Sequence, residues 1–198
     1  MNQGYIVFTG RPNAGKSIII RKITRLDAKS GKRPGTTNEL KRYPLSKNLI
    51  LVDMPGYGRI TKRSRKREGL VKDQIIDFIE DHGSSIVLTV HIIDASTYLN
   101  TSQRLENRGI IPIDIEMIQF LNENTSTQSI IVLNKIDKIN NKTVKDCLED
   151  LQTRLENIEA PTIFAVSAKK GEGLGQLKKA IHDQLIQNGF KDPFRPPK

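Results

Sequence analysis

Residues 10–17 read GRPNAGKS: a glycine, four residues, then Gly-Lys-Ser. This is the spacing of a loop that wraps an anion. Gly10 and Gly15 let the backbone close round phosphate, Lys16 offers a point charge to the terminal phosphates, and the Ser17 hydroxyl is a ligand for Mg²⁺. Arg11, Pro12, Asn13 and Ala14 complete the loop. The preceding run YIVFTG (5–10) reads as a buried strand, and from Ser17 to Leu26 the residues Ile19, Ile20, Ile23 and Leu26 fall on one helical stripe. The helix therefore opens with its positive end at the loop, the setting in which such a motif holds phosphate. A chance match in a glycine-rich turn is the alternative. By itself the loop does not separate ATP from GTP, or a kinase from an ATPase.

Outward from this motif, strand-like and helix-like runs alternate. AKSGKRPGTT (28–37) is a basic loop. NLILVD (48–53), SIVLTVHIID (85–94), SIIVLNKID (129–137) and TIFAVSAKK (162–170) read as further buried strands. GLVKDQIIDFIEDH (69–82), PIDIEMIQFLNE (112–123), TVKDCLEDLQTRLENI (143–158) and LGQLKKAIHDQLIQ (174–187) have helical spacing. Residues 95–111 read as a long polar connection. The order predicts an α/β domain, with a mostly parallel, doubly wound sheet and helices on both faces. Residues 1–188 form one domain in this reading, and 189–198 a proline-containing C-terminal tail, docked or loose.

The chain has 198 residues, 32 Lys and Arg against 22 Asp and Glu, a formal charge of +10, and one cysteine. The length suffices for a core without disulfides, and Cys147 cannot make an internal one. With no apolar run of membrane-spanning length and no signal peptide before the first strand, a cytoplasmic protein with no membrane partner is expected. The basic excess favours polyanions and says nothing about fold.

The base is read elsewhere. NKID (134–137) ends a predicted strand, and the Asp137 carboxylate can accept from the N1–H and exocyclic amine of guanine. Adenine has no such pair of donors, so a buried carboxylate would be left unpaired. Asn134 can brace neighbouring loops, and the Lys135 stem can lie on the ring face, with Ile136 between. In SAK (167–169), the backbone N–H groups of Ser167, Ala168 and Lys169, Ala168 above all, can meet guanine O6. Open α/β sheets bind ligands along this edge. GTP is therefore expected, rather than ATP. Around the phosphates, DMPG (53–56) places Asp53 where it can hold Mg²⁺ through water, with Met54 and Pro55 leading to Gly56, whose N–H can report a γ-phosphate. RPGTT (33–37) offers Gly35 and the hydroxyls of Thr36 and Thr37 in a loop that can close on Mg²⁺ with GTP and open with GDP.

The set GRPNAGKS, RPGTT, DMPGYG, NKID and SAK resembles the translation-factor-like superclass of GTPases and, within the Era-like family, the EngB group; GKRPGTT and DMPGYG are the most telling pieces. The resemblance covers roughly residues 4–188. It implies a six-stranded α/β P-loop GTPase domain and a part in assembly of the large ribosomal subunit. By the same resemblance Asn13, Gly15, Lys16 and Ser17 serve phosphate and Mg²⁺, and Thr37 rather than Thr36 is the switch threonine. Asp53 and Gly56 serve metal and γ-phosphate, and Asn134, Lys135, Asp137, Ser167 and Ala168 hold guanine. Lys16, Thr37 and Gly56 are the expected catalytic set. Bacterial members usually carry an extension before the first strand that is nearly absent here, the second switch continues as the basic run RITKRSRKR (59–67), and 95–111 is a long polar connection; these features point to the archaeal branch.

Ras-like GTPases place a water-orienting glutamine just after Asp-x-x-Gly; here Tyr57 stands there, so slow hydrolysis is expected. In related GTPases an asparagine matching Asn13 helps hold K⁺ beside the phosphates, which would supply the missing positive charge; a plain turn residue is the other reading. The basic run follows the γ-phosphate motif directly, so nucleotide state can set its arrangement. It is read as a ribosomal-RNA or precursor-particle contact through phosphate and shape, or as solvated surface. His82, His91, His182 and Cys147 are expected to be structural. A monomer is expected. Three functions stay open: a working GTPase released from an assembling particle by turnover, a nucleotide-gated RNA- or protein-binding module with negligible turnover, and a signalling GTPase unrelated to the ribosome. A small-molecule phosphotransferase is remote.

Overall fold

The computed structural model describes residues 3–24, 26, 39–57, 65–158 and 161–195, with the backbone alone at 65–68. Strand β1 (Gly4–Gly10) runs into helix α1 (Lys16–Thr24) through the glycine loop. An antiparallel pair follows, β2 (Lys41–Ser46) and β3 (Leu49–Asp53), then α2 (Arg65–His82), β4 (Ile86–Asp94), α3 (Tyr98–Glu106) and α4 (Ile113–Asn124). β5 (Ser129–Asn134), α5 (Asn141–Arg154), β6 (Thr162–Val166) and α6 (Leu174–Gln187) complete the chain. The sheet has six strands in the order β2-β3-β1-β4-β5-β6, parallel except at β2.

The side-chain alternation of buried strands sorts the helices. Ile6, Phe8, Leu51, Val90 and Val132 face α1 and α6, where Ile19, Ile20, Leu177 and Ile181 meet them. Val7 and Val52 face the other way, against Ile75 and Ile79 of α2 and Leu121 of α4. Ile131 and Leu133 lie on that same face against Ile118 of α4 and Leu151 of α5. Each fully buried aliphatic side chain contributes about 1.5–3 kcal/mol. The predicted layering on both faces is thus the observed one.

Two elements did not register in the sequence. β2 is an edge strand with Pro44 inside it; an edge position tolerates the missing N–H, and only Leu45 is fully buried. The polar connection 95–111 contains α3, held by two buried residues one turn apart, Tyr98 and Ser102. The Tyr98 hydroxyl donates to Asp150 at 2.7 Å, and Arg154 ties Asp150 and Glu106 together. Two predicted strands end early: β5 stops at Asn134 because Lys135 takes a left-handed φ of 70°, and β6 stops at Val166 as Ser167 begins a turn. Residues 189–195 pack back on the sheet through Phe190 and Phe194. The loop 28–37, with Gly35, Thr36 and Thr37, lies outside the described residues, as do 58–64 of the second switch. Among the described residues no helix is long and apolar enough to cross a membrane.

Two glycine substitutions are expected to have opposite signs. A Cβ on Gly83, between α2 and β4, would stand 2.2 Å from the Asn124 carbonyl oxygen, whereas one on Gly175 in α6 meets nothing within 4 Å. Gly83→Ala should destabilise by about 1–3 kcal/mol, and Gly175→Ala should stabilise by about 0.5–1 kcal/mol. Urea unfolding midpoints of the two variants check both.

Candidate nucleotide site

Parallel register brings the carboxyl ends of β1, β3, β4, β5 and β6 to one edge. Gly10 lies beside Ile92, Phe8 beside Asp53, Asp94 beside Asn134, and Asn134 beside Val166. All the described motifs therefore converge, although they are spread from Gly10 to Lys169 along the chain.

The phosphate loop turns through left-handed backbone at Gly10 (φ 142°), Asn13 (φ 64°) and Gly15 (φ 100°). Asparagine tolerates that region better than other side chains. A Cβ on Gly10 would lie 2.4 Å from the Ile92 carbonyl oxygen, and one on Gly15 2.2 Å from Asn134 Nδ2. Both glycines are thus required by conformation and by space. The N–H groups of Ile18 and Ile19 donate to the Gly15 carbonyl at 3.1 and 3.0 Å, and those of Lys16 and Ser17 precede the first intrahelical acceptors of α1. Ala14 is core, and Pro12 backs onto Gly56, where an added Cβ would stand 3.0 Å from Pro12 Cα.

Asn134 brackets two loops. Its Nδ2 donates to the Ala14 carbonyl at 2.7 Å and its Oδ1 accepts from the Ala168 N–H at 3.0 Å. The bracing expected of Asn134 is there, but the amide expected to meet guanine O6 is already engaged in it. Asp137 is half-exposed rather than buried, and its Oδ1 accepts from Ser167 Oγ at 2.6 Å. That hydrogen bond holds its carboxyl below the usual range, so Asp137 stands as an ionised acceptor. Ile136 packs against the core under α5, and Lys169 is exposed, its carbonyl accepting from Lys22 at 3.5 Å.

Asp94, which sequence reasoning missed, fixes Lys135. Its Oδ2 pairs with Lys135 Nζ at 2.5 Å, while its Oδ1 accepts from the Ser96 N–H at 3.0 Å and Oγ at 2.6 Å. An acidic residue closing an apolar strand, followed two residues later by serine, was the available signal.

At the phosphate end, Lys16 Nζ lies 3.7 Å from Asp53 Oδ1, both side chains buried. That is ion-pair distance and too long for a hydrogen bond, and Asp53 Oδ1 has no hydrogen-bond partner. Burial pushes the Asp53 carboxyl up and the Lys16 ammonium down; their mutual attraction only partly offsets it. An orphaned buried carboxylate oxygen, beside Lys16, together with the hydroxyl of the next residue, Ser17, in the first turn of α1, is a donor set that fits a hard divalent cation such as Mg²⁺. Met54 and Tyr57 turn away from this edge into the core between β1, β3 and α2. Tyr57 is 8% exposed, and its hydroxyl lies 3.4 Å from both ring nitrogens of His91. Of the DMPG turn, the backbone at Gly56 remains toward the phosphate loop. Arg11 does not turn toward the loop's interior partner Lys16; its Nη1 lies 3.9 Å from Asp114. Among the described residues no three His, Cys, Asp or Glu gather as a metal site, and Cys147 is buried in the core under α5.

Residues 5–135 match the family described as 50S ribosome-binding GTPases. A probable GTP-binding protein EngB of Methanopyrus kandleri is 38% identical over 195 residues, covering 94% of this chain and 95% of the relative. One of Pyrococcus abyssi is 36% identical over 90% of this chain and 84% of the relative. The crystal structure of a probable GTP-binding protein EngB superposes with a TM-score of 0.81 at 34% identity, over 93% of this chain and all of that one. Era of Aquifex aeolicus bound to GDP·AlF4⁻ shares the fold, with a TM-score of 0.67 at 24% identity over 93% of this chain and 57% of that one. With its phosphate loop, its Asn134 bracket and relatives matched over most of their length, the chain belongs to the 50S ribosome-binding GTPase family and, within it, to the EngB group of GTP-binding proteins.

Proposed function

We propose that this chain is a GTP-operated switch that hydrolyses GTP slowly and acts in assembly of the large ribosomal subunit, meeting ribosomal RNA through its basic second switch. The observation that carries the nucleotide reading is the Asn134 bracket, which locks the phosphate loop to the loop after β6. Beside it the Asp137 carboxylate, half-exposed, is held in place by the Ser167 hydroxyl. The two oxygens of the carboxylate, in this reading, accept from the guanine N1–H and exocyclic amine. Lys135, its Nζ held by Asp94, lays its stem along the ring face. Gly10, Asn13, Gly15 and the start of α1 cradle the phosphates with backbone N–H groups. Lys16 neutralises their negative charge, and the Gly56 N–H meets the γ-phosphate. Ser17, Asp53 and Thr37 are the residues that would hold Mg²⁺, which would supply charge neutralisation at the phosphates. Asn13 would hold K⁺.

The ribosomal half of the proposal rests on the family's description, on the net charge of +10, and on the six Lys or Arg in residues 59–67. The particle would be recognised through backbone phosphates, with the protein acting as a monomer in the cytoplasm. Burial of Tyr57 favours a second reading, in which turnover is negligible without a partner and occupancy alone gates binding. A partner-stimulated hydrolysis rate separates the two.

Three measurements test this proposal. Asp137→Asn should weaken GTP binding by about 100-fold or more, since two hydrogen bonds to a charged acceptor are lost, and should improve binding of xanthosine triphosphate, whose 2-oxo group pairs with an amide N–H. Equilibrium titration with GTP, ATP and xanthosine triphosphate reads this; ATP bound as tightly as GTP by the unmodified chain would overturn the guanine reading. Hydrolysis should be about tenfold faster in K⁺ than in Na⁺ at equal ionic strength, and equal rates would remove Asn13 from that role. Co-sedimentation with ribosomal subunits should pellet the chain with the large subunit in a non-hydrolysable GTP analogue and not in GDP. Absence from both pellets, with GTP binding intact, would direct the basic charge to another partner.

A further inference from the structure

Behind the phosphate loop lies a buried polar cluster that GTP binding as described does not use. His91, in the middle of β4, has no exposed surface, and Asp114, in the first turn of α4, has almost none. His91 Nδ1 lies 2.8 Å from Thr9 Oγ1, and its Nε2 lies 3.2 Å from Asp114 Oδ1. The carboxylate accepts only, so Nε2 carries the proton donated to it, and in the neutral ring Nδ1 accepts from the Thr9 hydroxyl. Asp114 Oδ2 reaches Arg11 Nη1 at 3.9 Å, and the Tyr57 hydroxyl lies 3.4 Å from each imidazole nitrogen.

Two of these partners are neighbours of phosphate-facing backbone. Arg11 lies between Gly10 and Pro12 in the phosphate loop, and Tyr57 directly follows Gly56. Gly56 itself rests on Pro12, where an added Cβ would stand only 3.0 Å from the Pro12 backbone. A carboxylate and an imidazole buried together contribute little to stability compared with well-packed apolar side chains, so the pair calls for a further role. The contacts also differ in strength: His91 is held firmly by Thr9 and Asp114, while Tyr57 meets it loosely, with no single well-directed bond. A loose contact to a fixed partner is what a turn needs if it is to move with nucleotide state.

We propose that His91 and Asp114 are positioning residues that tie the Gly56 turn and the phosphate loop to α4, so that the Gly56 N–H is set for a γ-phosphate. This rests on the GTP reading above and deepens it: the pair discriminates triphosphate from diphosphate without touching either. Neither residue was assigned a role in binding by the sequence motifs.

The test uses the full chain with Asp114→Asn and, separately, Tyr57→Phe, which removes one oxygen and leaves the packing. Affinities for GDP and for a non-hydrolysable GTP analogue are measured by titration, with thermal unfolding alongside. The expected result is that preference for the triphosphate falls by about fivefold or more, the scale of ordinary coupling between sites, while GDP affinity stays near that of the unmodified chain. A purely structural pair would lower the melting temperature and weaken both nucleotides in parallel; that outcome, or an unchanged preference in both variants, overturns the proposal. If Asp114→Asn does not fold, Tyr57→Phe decides by the same ratio. Failure of the unmodified chain to bind any guanine nucleotide would instead overturn the reading on which the proposal stands.

Discussion

The site depends on one carboxamide. Asn134 ends β5 with both its polar atoms engaged, donating to the Ala14 carbonyl and accepting from the Ala168 N–H. A single side chain thus sets the distance between the loop after β1 and the loop after β6. The fit leaves no slack, because a Cβ on Gly15 would collide with Nδ2. Buried hydrogen bonds of this kind contribute about 0.5–1.5 kcal/mol each to stability, but leaving either partner unsatisfied costs more. The geometric constraint therefore matters beyond its energy: the loop after β1 and the loop after β6 cannot drift independently.

At the other end of the edge the physics is reversed. Lys16 and Asp53 are buried, oppositely charged and yet held 3.7 Å apart, with Asp53 Oδ1 unpartnered. A pair kept for stability would be expected to close and to satisfy its remaining lone pairs. Burial here works against both charges, and the attraction between them repays it only in part. Such an open pair is suited to receiving anionic oxygens at the lysine and a cation at the carboxylate, which is the role proposed for it. One end of the site is thus closed by hydrogen bonds, and the other is left electrostatically incomplete.

What could be read from the residues follows from how far each signal reaches along the chain. The phosphate loop was legible because its chemistry is local: Gly10, Gly15, Lys16 and Ser17 act within eight residues, and an apolar strand and an amphipathic helix flank them. NKID and SAK were legible as strand-end motifs, though not the engagement of the Ala168 amide, which needs the two ends side by side. Asp94 was missed because its partner Lys135 is chosen by the parallel register of β4 and β5, which no local spacing encodes. β2 was missed because an edge strand with one buried leucine and an internal proline has little period-two signal, and the sixth strand was expected only through the EngB resemblance. α3 was missed because two buried residues one turn apart make too short a stripe to distinguish from a polar loop. His91 was expected to be structural; its burial agrees, but Thr9, Tyr57 and Asp114 around it are tertiary neighbours invisible to spacing.

The residue after Asp-x-x-Gly shows why identity and direction must be separated. At the sequence level Tyr57 invites comparison with a water-orienting glutamine and reads as a defective version of it. In the fold its ring lies in the core with Met54 and Val52, and burial holds its hydroxyl protonated. The turn therefore presents backbone to the phosphate loop and side chains to the interior. What such a turn can sense is set by where its backbone sits, not by what its side chains carry. Position is controlled from behind, by the contact of Gly56 on Pro12 and by the packing of Tyr57 against β4 and α4. If the turn meets a γ-phosphate as proposed, a substitution in the core beneath it would act on nucleotide discrimination without facing the phosphates, and the tyrosine would be the loose link between the turn and the sheet.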